Sequence, residues 1–109
     1  MKRSVLIAAA AAALTMGQYA AAAGDAAAGE EKSAVCVACH GNDGNSPSAQ
    51  FPRIGGQHAS YLERALIDYK SGARQNAIMA GIVTQLSKQD MADLAAYYAK
   101  QAGPLHTPE

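Results

Sequence analysis

Met91, Leu94, Ala95 and Tyr98 recur at intervals of three and four, the spacing of a buried stripe on one face of an α-helix. The start of that helix is written just before it. Ser87-Lys88-Gln89-Asp90 is an S-x-x-D capping box, and Leu86 with Met91 has the spacing of a hydrophobic staple. Gly103-Pro104 is expected to end it. A second stripe, Tyr61, Leu62, Ala65, Leu66 and Tyr69, predicts a helix from about Gln57 to Ser71, stopped by Gly72. Near the start, Asp25 is placed to cap one helix running through Ala26-Ala27-Ala28-Gly29-Glu30-Glu31 to His40. Gly29 lies inside it, at about 1 kcal/mol against Ala, so either that cost is tolerated or another backbone passes close by. Between the helices, the Gly-, Asn-, Ser- and Pro-rich stretch Gly41 to Gly56 predicts a long loop, and long loops in small domains usually wrap something. Ala73 to Leu86, which carries Met79 and Gly81, is expected to be irregular. No stretch alternates with period two and nothing repeats, so the chain predicts an all-α domain.

The remaining apolar run belongs to no core. Met1-Lys2-Arg3 is basic, Val5 to Leu14 is unbroken and apolar, and Ala21-Ala22-Ala23 offers small residues for cleavage before Gly24. Ten residues fall well short of the roughly 20 that span a bilayer, so the run predicts an export signal. Residues 1–23 are therefore expected to be removed, leaving 24–109 as one domain in the periplasm. Losing Lys2 and Arg3 leaves seven basic residues against nine acidic ones, a formal charge of −2, which argues against nucleic acid and anionic lipid as partners. A domain of 86 residues with one Phe and no Trp has little from which to build a core, and domains of this size commonly rely on a staple, metal or cofactor.

Cys36-Val37-Ala38-Cys39-His40 supplies the candidate. Two thiols at i and i+3 share one face of a helical turn, where each sulfur can add to one vinyl group of a porphyrin, and the imidazole at i+4 can then reach the iron. C-x-x-C-H is the attachment signature of c-type haem. The same two thiols are the whole supply of the chain, which excludes a four-thiolate zinc site. A flat apolar macrocycle would also supply the missing centre of the core. With His40 on one side of the iron, the sixth position decides the chemistry. Met91 belongs to the last helix's stripe, whereas Met79 lies 39 residues beyond His40, far enough to reach the opposite face.

The pentapeptide, His40-Gly41-Asn42-Asp43-Gly44-Asn45-Ser46, Phe51-Pro52-Arg53-Ile54-Gly55-Gly56-Gln57, Tyr69-Lys70-Ser71-Gly72-Ala73-Arg74 and Met79-Ala80-Gly81 together resemble class I cytochromes c, most closely one haem domain of the cytochrome c4 and c553 group. The resemblance implies three to five helices wrapped around one covalent haem c. It implies thioethers at Cys36 and Cys39, His40 and Met79 as axial ligands, and a Pro52 carbonyl that accepts the His40 Nδ1–H. It also implies that Gly29 marks the crossing of the first and last helices, near Leu94 and Tyr98. The c4 group carries two such domains in tandem, and this chain one, which implies a single-haem carrier.

The leading expectation is accordingly a monomeric periplasmic electron carrier that docks transiently on a membrane-bound oxidase, reductase or dehydrogenase. Two other functions compete. A haem peroxidase or gas-binding protein would leave the sixth position open and want a distal acid–base group. A thiol–disulfide protein would place C-x-x-C after a strand, unlike these Ala-rich flanks. Arg53, Gln57 and Arg74 are candidates for haem propionates or are plain surface; His58 and His106 are expected to be solvated or capping rather than ligands, and the charged face of the last helix, Lys88, Asp93 and Lys100, is expected to be solvated.

Overall fold

One helix organises the rest. Lys88–Ala99 (called α5 for its place in the chain) follows α1 (Ala26–Lys32), α2 (Ala34–His40), α3 (Ala59–Ser71) and α4 (Ala77–Val83) in a computed structural model that describes residues 23–106. The expected export signal lies outside the described residues. Among those residues there is no strand, and no helix is long and apolar enough to cross a membrane.

The start of α5 is as its sequence predicts: Ser87 Oγ accepts from Asp90 N–H at 3.0 Å while the Asp90 carboxylate accepts from Ser87 N–H at 2.9 Å. Leu86 and Met91 on either side are both buried. The helix ends earlier than Gly103-Pro104, at Ala99, with Lys100 as its cap.

Two elements differ from expectation. The single N-terminal helix is two helices, because both the N–H and the hydroxyl of Ser33 turn back to the Glu30 carbonyl, at 3.2 and 2.7 Å. The Ser33 carbonyl then begins α2 by accepting from Cys36 and Val37 at 2.8 and 3.2 Å. The break lets α1 lie along α5 while α2 takes its own direction. Ala73 to Leu86 is likewise not irregular throughout: Asn76 caps α4 by accepting from Ile78 and Met79 N–H, each at 3.0 Å. α3 keeps close to its expected place, starting two residues late at Ala59 and ending where Gly72 takes a left-handed φ of 85°.

The crossing of α1 over α5 depends on Gly29. A Cβ there would run into the Asp93 carbonyl and lie 2.7 Å from Tyr97 Cβ, one residue along from the Leu94 and Tyr98 positions expected. Asp93 itself is not on a solvated face, since only 2% of it is exposed. Its carboxylate accepts from Asp25 N–H at 2.8 Å, Gln89 Nε2 at 2.8 Å and Lys32 Nζ at 2.6 Å, and Lys32 also reaches Asp90 at 2.9 Å. The sequence pattern marks the position as polar but cannot show that its partners come from 61 and 68 residues away.

On its other side α5 packs against α3, with α4 resting on α3. Leu62, Val83, Leu86, Met91, Leu94, Ala95 and Tyr98 form the core. The long loop is fastened to the far end of α5. Gly56 N–H donates to the Tyr98 carbonyl at 2.9 Å, Tyr97 Oη to the Asn42 carbonyl at 2.8 Å, and Asn45 Nδ2 to the Ala102 carbonyl at 2.7 Å.

Candidate functional site

Between this loop and the helices lies a cleft of about 320 Å³. Cys36 and His40 of α2 line it together with Pro52, Arg53, Ile54 and Gln57 of the loop. Tyr61, Leu62, Ala65, Leu66 and Tyr69 of α3 form a second wall, Leu94, Ala95 and Tyr98 of α5 the floor, and Met79 of α4 completes it. The α3 stripe therefore serves the cleft more than the protein core. Tyr61 shows this most clearly, with 51% of its surface exposed.

His40 is held in one orientation. It is 8% exposed, and its Nδ1 lies 2.8 Å from the Pro52 carbonyl. A carbonyl oxygen only accepts, so Nδ1 carries the proton and a neutral ring keeps its lone pair on Nε2, the form in which imidazole binds a metal. Cys36 and Cys39 are free thiols on the same turn, both half-buried. Burial pushes the pKa of the Cys36 thiol above its ordinary value, against the opposing influence of the Tyr98 hydroxyl; the Cys39 thiol adds to the rise. Met79, half-buried, packs against the core from α4.

Arg74 lines the cleft but is already engaged. Its guanidinium sits 4.8 Å above the Tyr69 ring and its Nη1 lies 3.4 Å from Tyr61 Oη. Arg53 is exposed at the rim and Gln57 half-buried. His58 and His106 are exposed and form no part of the walls. Of the floor residues Leu94, Ala95 and Tyr98, which sequence reasoning places only in the core, Tyr98 is the polar one. It is 3% exposed, and its hydroxyl is buried beside Cys36 with no hydrogen-bond partner. Periodicity identifies the buried position and says nothing of which wall the phenol head faces.

Residues 21–101 match the family described as Cytochrome c. The chain belongs to the cytochrome c family. Cytochrome c4 of Pseudomonas aeruginosa is 56% identical over 80 residues, which cover 73% of this chain and 40% of that protein. Cytochrome c-554(548) of Halomonas halodenitrificans is 48% identical over 82 residues, covering 72% of this chain and 99% of that one. The crystal structure of reduced recombinant cytochrome c4 from Pseudomonas stutzeri superposes with a TM-score of 0.71 at 47% identity, covering 74% of this chain and 47% of that one. The chain spans about two fifths of the length of the cytochrome c4 relatives it matches. A further relative, from Thiomonas intermedia, is named a thiosulfate dehydrogenase electron acceptor.

Membership in this group implies covalently attached haem c, and the site fits it. A thiol and an imidazole from one helix share the cleft with a thioether from another, inside walls that are otherwise mostly aliphatic and aromatic. Such an apolar cleft, in a domain with so small a core of its own, is the space a macrocycle would fill.

Proposed function

We propose that residues 1–23 direct export and that 24–109 form a monomeric, periplasmic, single-haem one-electron carrier without enzymatic activity of its own. Cys36 and Cys39 would hold the haem by thioethers, with His40 and Met79 as axial ligands. Haem c supplies an iron that changes oxidation state by one electron. The chain's residues set how readily it does so. The Pro52 carbonyl fixes the His40 ring and raises its basicity. Met79 offers a thioether, a ligand that favours the reduced iron and raises its potential. Two permanent protein ligands would also leave no position open for peroxide or a gas.

The observation that carries this reading is that Met79, 39 residues from His40 in sequence, lines the same cleft. Partners would be redox proteins, among them membrane-bound oxidases, reductases or dehydrogenases, met through small and short-lived contacts. The name of the Thiomonas relative, a thiosulfate dehydrogenase electron acceptor, supports dehydrogenases as donors. Spectroscopy of the purified holoprotein tests the ligands. Met79→Ala is expected to keep the haem, lose the weak red charge-transfer band of Met–iron ligation, bind carbon monoxide readily and fall in potential. An unchanged spectrum and potential would remove Met79 from the site. Intact mass tests the attachment, since replacing Cys36 or Cys39 should prevent normal doubly linked haem.

A further inference from the structure

Tyr98 is the polar exception in the floor of the cleft. Its ring is core, packed with Leu94 and Ala95 and edge-on to Tyr97 at 4.9 Å between centroids, and the phenol is 3% exposed. Yet its hydroxyl has no partner. A buried hydroxyl without a hydrogen bond is costly and uncommon, and a Phe would fill the same ring position without that cost. Cys36 packs against the core cluster that holds Tyr98 and lines the same cleft, and Cys36 and Ser33 are among the side chains that bear on the phenol's electrostatics. Ser33 spends its own hydroxyl hydrogen on the Glu30 carbonyl at 2.7 Å, whereas the Cys36 sulfur is a free, polarizable acceptor on the cleft wall.

We propose that Tyr98 is a positioning residue whose O–H donates to the Cys36 sulfur and through it tunes the haem joined there. The inference rests on Cys36 carrying a thioether. An O–H directed at that sulfur places the positive end of its dipole at the edge of the macrocycle. Positive charge there favours the electron-rich, reduced state, as hydrogen bonds to coordinating sulfurs do in other iron centres. Losing it should lower the potential while both axial ligands stay in place.

The test is Tyr98→Phe in the holoprotein, with Ser33→Ala beside it, read by intact mass, visible spectrum, midpoint potential and denaturant midpoint. Phe keeps the ring, so packing against Leu94 and Ala95 is retained. The expected result is full haem mass, an unchanged Met–iron band, a lower denaturant midpoint and a reduced-to-oxidised ratio about threefold smaller at fixed poise, or about 28 mV at 59 mV per tenfold. Ser33→Ala should leave the potential where it is. The proposal is overturned if Tyr98→Phe leaves the potential unchanged. It is also overturned if that variant is more resistant to denaturant, the mark of a hydroxyl that had no partner, or if Ser33→Ala reproduces the shift. Wild-type protein without the mass of an attached haem would instead overturn the reading on which the inference rests.

Discussion

Among the described residues two glycines lie inside helices, and replacing each by Ala should move stability in opposite directions. In α1, Gly29→Ala gains about 1 kcal/mol of helix propensity. Against this, the new Cβ would collide with the Asp93 carbonyl and crowd Tyr97 Cβ at 2.7 Å. The nearer obstacle is backbone and cannot rotate away, so α1 must lift from α5. Overpacking of that kind costs roughly 1–3 kcal/mol, and a rigid obstacle argues for the upper end. The net expectation is a loss of about 2 kcal/mol, a fall in Tm of about 8–16 °C for a domain of this size. In α4, Gly81 is exposed and a Cβ there would meet nothing within 4 Å. Gly81→Ala should therefore keep its propensity gain of about 1 kcal/mol, raising Tm by about 4–8 °C. Paired thermal and denaturant unfolding of the two holoprotein variants makes the measurement. A Gly29→Ala protein at least as stable as the parent would refute the close crossing of α1 and α5, and with it the account of why glycine sits there.

Acid should weaken the same crossing. The Asp25 N–H and then Lys32 hold the Asp93 carboxyl down to about 2, and Lys32 with the Ser87 cap holds Asp90 at about 2, against 3.8 unfolded. Folded values below unfolded ones mean that this stabilisation is complete above about pH 4 and fades as pH falls toward about 2. Denaturant midpoints taken across that window should fall less steeply for Asp93→Asn than for the parent; parallel curves would show that the carboxylate is not the group responsible. Leu94→Ala, which removes one of the two most buried side chains, should cost about 3 kcal/mol in denaturant unfolding, and a loss under 1 kcal/mol would mean the core relaxes around the gap.

How far the sequence reaches can be judged element by element. α5 is legible because three local signals agree: a capping box, a staple and a stripe. The thiols and His40 are legible because attachment requires a fixed spacing within one turn. Met79 is singled out for the cleft by elimination and family resemblance, although its helix is not foreseen. The Asn76 cap was a readable sign of α4, but seven residues with a glycine among them give too little periodicity to outweigh an irregular reading. The break at Ser33 depends on one hydroxyl choosing the Glu30 carbonyl, and the burial of Asp93 on partners more than sixty residues away. Tyr61 misleads for a different reason. Helical spacing reports an apolar face, whether protein or a prosthetic group covers it.

The many ties of α5 divide the labour of holding the cleft. Its N-terminal half is bound to Asp25 and Lys32, and its C-terminal end to Asn42, Asn45 and Gly56, while α4 rests on α3 and follows a run, residues 71–78, that is exposed throughout. The imidazole side thus sits beside the most strongly anchored part of the molecule, whereas Met79 lies near the start of α4 next to that exposed run, with Val83 at the other end of the helix in the core. Local opening is therefore expected to start in the exposed run ahead of α4 rather than at the α1–α5 clasp, an order that amide hydrogen exchange would show as earlier loss of protection at the start of α4 than in α1 and α5.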